Sequence, residues 1–116
     1  MPKKITPETK LKRAITSFLK RTGIFTFHVL QGLGAYKGIS DRVGLFAKKV
    51  KCPHCKKKFM CEGHLLAIEV KSPKGKLSEY QKDFLEEIEK RGGIAIVAWN
   101  IDDLIDGLDI RDRFLF

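Results

Sequence analysis

Glu69 and Lys71 stand two residues apart in the apolar run LLAIEVK at 65–71. On a strand that spacing places both side chains on one face with Ala67, while Leu66, Ile68 and Val70 take the other. Burying charge is costly unless the charges are paired or bind a metal; an isolated Glu-x-Lys can also be an ordinary salt bridge on a half-exposed face. Asp41, in GISDRVG just before another strand-like run, adds a second carboxylate that would lie beside Glu69 if the two segments pair. Taken alone, Ser40-Asp41 after a glycine is equally good turn chemistry. Two adjacent carboxylates repel and so need a shared proton or a cation, and hard oxygen ligands suit Mg²⁺ or Mn²⁺. A metal so held activates water and neutralises the charge that develops in phosphodiester hydrolysis. Lys71 could position the water, help deprotonate it, or stabilise the phosphate charge, and the residue pattern leaves these roles open.

All three cysteines fall in the segment 48–64, KKVKCPHCKKKFMCEGH. Cys52-x-x-Cys55 and Cys61-x-x-His64 form two knuckle-like pairs, a ligand set for tetrahedral Zn²⁺, with His54 able to replace His64. The alternative is a set of free thiols on a surface hairpin. An odd cysteine count argues against a disulfide framework. A zinc here would be structural, stapling a small segment that lacks its own core. Lys48, Lys49, Lys51, Lys56, Lys57 and Lys58 decorate it, which points to a grip on DNA phosphates beside the cleft.

The 116 residues suit one domain, 1–116, with 48–64 as a zinc-knuckle insertion within it. A net charge of +9 favours a polyanionic partner, nucleic acid first. No apolar run approaches the roughly 20 residues of a membrane span. The start MPKKITPETK has no signal-peptide core, so the expected location is intracellular: a prokaryotic cytoplasm or a virus-infected host cell. No Ser/His/Asp grouping or G-x-x-x-x-G-K phosphate loop is present.

These groups need elements to place them. Thr6-Pro7-Glu8 predicts a helix start, Leu11, Ala14, Ile15, Phe18 and Leu19 an apolar stripe, and Gly23 the stop. Residues 24–30, 42–47 and 65–71 read as strands, with 31–38 a glycine-rich loop. Residues 78–91 predict an amphipathic helix with Leu77, Tyr80, Phe84, Leu85 and Ile88 on its stripe. A buried strand follows at 94–99, then a short helix capped by Asn100. This order predicts an α/β fold, a mixed sheet flanked by helices.

GISDRVG, then AIEVKSPKGKLSEYQKDFL, then RGGIAIVAW resembles the VRR-NUC branch of the PD-(D/E)XK nuclease superfamily over most of residues 6–100, the cysteine segment apart. The resemblance implies a restriction-endonuclease-like fold and a Mg²⁺- or Mn²⁺-dependent DNA endonuclease selective for branched or flapped DNA such as Holliday junctions. Family members of this size look like homodimers. By match to the motif, Asp41 and Glu69 would be metal ligands with the Val70 backbone carbonyl, and Lys71 the catalytic lysine. Gln81 matches a helix glutamine near the active site, although S-x-x-Q also reads as a capping box from Ser78. Glu8 matches a metal-assisting acid, although it also suits a helix dipole. Lys37, Arg42, Lys56, Lys57, Lys58, Lys74 and Lys76 are the expected DNA contacts. The rivals are a restriction or nicking nuclease and a non-catalytic zinc-containing DNA-binding module on the same fold. His28 and Trp99 read as packed residues, and Phe114, Leu115 and Phe116 as core or a subunit contact.

Overall fold

The computed structural model describes residues 5–30, 36–51 and 53–110, with the side chains of 49–51 and 58–61 outside that description. Helix α1 (Pro7–Thr22) starts where the Thr6 hydroxyl accepts the Thr9 amide, and stops at Gly23, whose φ of 72° is left-handed. Strand β1 (Phe25–His28) pairs antiparallel with β2 (Arg42–Lys51), and β2 pairs antiparallel with β3 (Lys58–Val70). Helix α2 (Glu79–Lys90) crosses over to β4 (Ile94–Ala98), which lies parallel to β3. Helix α3 (Ile101–Leu108) follows, capped by Asn100 as expected. Among the described residues the sheet has four strands in the order β1-β2-β3-β4.

The core forms on one face of this sheet. Ile15 and Leu19 of α1 and Leu104 and Leu108 of α3 pack with Phe46, Leu66, Ile68, Val70, Ile96 and Ala98. Alternation sends Ala67 and Glu69 to the opposite face, where α2 lies and Gln81 reaches Glu69. The C-terminal half of β3 is therefore covered on both sides, and 66–70 are all buried. Each fully buried Leu or Ile contributes about 1.5–3 kcal/mol, so the strand carrying the carboxylate is among the best anchored parts of the fold. Of the expected apolar stripe on α1, Ala14 alone is exposed.

The mixed sheet flanked by helices is as expected, but the cysteine segment differs. It continues the sheet: β2 runs on to Lys51, β3 begins at Lys58, and the two stay paired across a register shift at Lys48/Lys49. His54 and Cys55 are exposed in the turn between them.

The place of His64 in the zinc ligand set therefore needs correction. His64 pairs across the ladder with Phe46, six positions along β3 from the Lys58 end, or about 20 Å at strand rise from the turn that holds Cys55. A tetrahedral zinc would need its ligands within about 2.3 Å of one point. The His64 ring instead bonds the Gly92 carbonyl at 2.7 Å and the Glu62 carboxylate at 3.3 Å. Cys52 and the side chain of Cys61 lie outside the described residues, as do Phe114, Leu115 and Phe116.

Candidate active site

Asp41 occupies the step just beyond the β2–β3 ladder. Arg42 pairs with Ile68, so the next position faces Glu69. On the other side the Asp41 carbonyl accepts the Val29 amide at 2.9 Å, which holds its backbone between β1 and β3. Its side chain reaches across: one carboxylate oxygen accepts the Val70 amide at 2.7 Å, and the other lies 3.4 Å from Lys12 Nζ. The pairing inferred from sequence thus brings Asp41 and Glu69 together despite the long hairpin between them.

Glu69 is 2% exposed. Its Oε1 accepts Gln81 Nε2 at 2.9 Å and lies 3.5 Å from Lys71 Nζ. Its Oε2 is buried and has no hydrogen-bond partner among the described residues. Burial first, then the Asp41 charge, raises the Glu69 carboxyl from an ordinary 4.5 to about 7, against the opposing pull of Lys71. An unsatisfied buried carboxylate oxygen beside a second carboxylate is the donor set that a hard divalent cation completes. Among the described residues no three His, Cys, Asp or Glu side chains converge on one point. Mg²⁺ does not require that, because one or two carboxylates suffice when water and substrate phosphate supply the rest.

Gln81 serves both ends of its ambiguity. Its Oε1 accepts the Ser78 amide at 2.9 Å, its own amide donates to Ser78 Oγ at 3.2 Å, and its Nε2 donates to Glu69. The capping box fixes which end of the amide faces Glu69. Lys71 is held from the other side. Its amide donates to the Ala98 carbonyl, and the turn after it is closed by Trp99 Nε1 on the Gly75 carbonyl at 3.3 Å. Trp99 is thus a half-exposed brace for that turn, a correction to the packed residue expected.

A cleft of about 350 Å³ collects Glu8, Lys12, His28, Asp41, Glu69, Lys71 and Gln81. Every side chain expected to act in catalysis lines it. Glu8 sits at its rim, 41% exposed and 4.0 Å from Lys12. His28 is exposed and lines the cleft, which corrects the packed histidine read from its apolar strand. Among the described residues β1 is an edge strand, which leaves His28 open.

The expected DNA contacts divide. Lys74 lines a neighbouring cavity with Glu8, Ser72 and Pro73. Lys76 is exposed, as are Lys56 and Lys57 at the hairpin turn, while the Lys58 side chain is outside the description. Lys37 lies 4.0 Å over the Tyr80 ring. Its loop docks on α2 because Gly38, at φ 84°, approaches the Tyr80 carbonyl where a Cβ would come to 2.2 Å. Arg42 is partly committed to structure: Nε donates to Thr26 Oγ1 at 2.9 Å and Nη1 to Thr16 Oγ1 at 3.1 Å, and burial lowers its pKa.

The family model described as VRR-NUC domain matches residues 9–99. This chain belongs to the VRR-NUC domain family. The match contains Asp41, Glu69, Lys71 and Gln81 and stops one residue short of Glu8. A VRR-NUC domain carries a nuclease-type function on DNA and generally uses divalent metals. No curated protein and no solved structure matches the chain. Among the described residues no helix is long and apolar enough to cross a membrane.

Lys12 is the member of this VRR-NUC site that sequence reasoning missed. Its ammonium lies 3.4 Å from Asp41 and would compete with any metal held there. Replacing Lys12 with Met should tighten Mg²⁺ binding by about tenfold in calorimetry, since a positive charge near the site is removed. Unchanged or weaker Mg²⁺ affinity would show that Lys12 does not oppose the metal.

Proposed function

We propose that this VRR-NUC protein is a Mg²⁺- or Mn²⁺-dependent DNA endonuclease acting on branched or flapped DNA. One observation carries the reading: Asp41 and Glu69 meet at the end of one strand pair, with Glu69 Oε2 buried and unpartnered and Lys71 on the other oxygen. Asp41 and Glu69 would hold the metal with the Val70 carbonyl. When bound, the metal supplies an activated water and neutralises charge on the phosphate. Gln81, bonded to Oε1, would keep Glu69 oriented and leave Oε2 for the metal. Lys71, 14% exposed and 3.5 Å from Glu69, stands where an ammonium can hold the attacking water or meet the charge on the phosphate. Glu8 at the rim would assist the metal through water. The exposed Lys56, Lys57, Lys74 and Lys76 would hold flanking phosphates.

The sheet face that α2 leaves open supports a homodimer. Phe25, Leu45 and Leu65 are direct cross-strand neighbours on that face, and with Phe27 they are 41–64% exposed. The Phe25 and Phe27 rings stand 6.3 Å apart. A two-fold pairing through this patch would present two clefts to a symmetric junction. Leu45→Asp should convert a dimer to a monomer in sedimentation; a wild type that sediments as a monomer sinks the dimer reading.

Shape preference is tested by incubating the protein with duplex, flap and four-way junction oligonucleotides in Mg²⁺ or Mn²⁺. Cuts concentrated at the branch are expected. Equal cutting of plain duplex would favour a nicking or restriction-type enzyme, and no cutting of any probe would end the enzyme reading.

A further inference from the structure

A second cavity, about 570 Å³, lies between α1 and β1 and shares Lys12, His28 and Asp41 with the cleft. Those three side chains form a wall common to both. Thr16 and Arg42 bond each other in its lining, and Thr16 Oγ1 also donates to the Lys12 carbonyl at 2.8 Å. Arg13, Ser17 and His28 line the same cavity. All three are exposed, and none of their side chains has a hydrogen bond or ion pair among the described residues. A groove presenting a guanidinium, a hydroxyl and an imidazole with no partner of their own is chemically suited to phosphate oxygens. Arg13 and Ser17 are four residues apart on one helix face, about 5–6 Å between Cβ atoms, near the separation of successive phosphates along a strand. The net charge of +9 favours the same ligand.

We infer that one DNA strand lies in the α1–β1 groove, its phosphates held by Arg13, Ser17 and His28, and enters the metal cleft past Asp41. This rests on the nuclease reading and adds to it the direction from which the strand arrives. Of the expected DNA contacts Arg42 lines this groove, where it is bonded to Thr16 and Thr26, whereas Arg13, Ser17 and His28 were not among them.

The test uses the full chain and whichever synthetic duplex, flap or four-way junction the wild type cuts, with Ca²⁺ replacing the cleaving metal so that binding is read by fluorescence anisotropy. Phosphates flanking the mapped cut are replaced one at a time by neutral methylphosphonate. At one flanking position the replacement should weaken wild-type binding by about tenfold, as expected for losing a charge-assisted contact. Arg13→Ala should itself weaken binding and be insensitive to that replacement, changing less than about twofold on the same scale. Ser17→Ala should lose sensitivity at the adjacent phosphate. Lys90→Ala, on α2 and lining neither cavity, should keep the wild-type pattern. Arg13 and Ser17 are exposed and unpaired, so neither change removes a contact on which folding depends. If the effects of Arg13→Ala and of each methylphosphonate multiply at every position, the strand does not lie in this groove, although the nuclease reading stands. If the wild type cuts none of the probes, the nuclease reading falls and this inference with it.

Discussion

Glu69→Gln should abolish metal-dependent cleavage, by about a thousandfold or more, while stabilising the metal-free protein above neutral pH. The two effects have one cause. Glu69 is 2% exposed, and burial and then Asp41 raise its carboxyl to about 7. A folded-state pKa above the unfolded value means that the native state holds the proton more tightly. The resulting stability is fully present below about 4.5 and is lost as pH rises through about 7. At pH 8 the wild type therefore carries a buried charge that Lys71 and Gln81 only partly offset. The glutamine has the same shape, still accepts from Gln81, and presents an amide rather than a second negative charge towards Asp41. Thermal unfolding in chelator should show wild-type stability falling from pH 5 to 8 by on the order of 2 kcal/mol, with the variant flatter. Mg²⁺ should raise the wild-type melting temperature and leave the variant unmoved. A variant that still melts higher in Mg²⁺, or a wild type without the pH slope, would remove Glu69 from the metal site.

Lys71→Met should lower kcat by about 10²–10⁴-fold with little change in DNA affinity. Lys71 Nζ is 3.5 Å from Glu69 Oε1, and the side chain is 14% exposed. It is therefore placed to meet the reacting groups rather than to bind distant phosphates. Its charge also holds the Glu69 carboxyl down. Without it that carboxyl rises further, so Mg²⁺ binding by the variant should need more alkaline pH. Lys71→Arg divides the possible roles. Restored charge with recovered activity indicates electrostatic stabilisation, whereas an inactive arginine variant that binds metal normally indicates a lysine that handles a proton. Near-wild-type kcat in Lys71→Met would leave the residue only a structural ion pair.

Much of this site was legible in the sequence because it lies on regular elements. The period-2 pattern of LLAIEVK placed Glu69 and Lys71 on one face, and strand pairing then required Asp41 to come alongside. Thr6, Ser78 and Asn100 announced their helices by cap chemistry, and all three caps form. Gln81 was ambiguous because a primary amide has two ends; the fold uses one for the cap and one for Glu69. Lys12 gave no signal. In a helix with many lysines, only tertiary closeness to Asp41 distinguishes it. His28 and Trp99 were misread because an apolar strand suggests burial, whereas β1 is an edge and Trp99 lies past the end of β4. The β2–β3 hairpin was hidden by its lysines, which mask the alternation of a strand pattern. His64 illustrates the limit of spacing arguments: the Cys-x-x-His interval suits zinc, but an extended strand carries the histidine away from the hairpin turn.

The most direct test of the central claim compares cleavage of a DNA structure panel by wild type and Asp41→Asn, each in Mg²⁺, Mn²⁺ and chelator. Wild-type cleavage in both metals, none in chelator, and none by Asp41→Asn in any condition is the expected result. Cleavage that survives in chelator or in Asp41→Asn, or a wild type that cuts nothing in either metal, would contradict a divalent-metal nuclease built on Asp41 and Glu69.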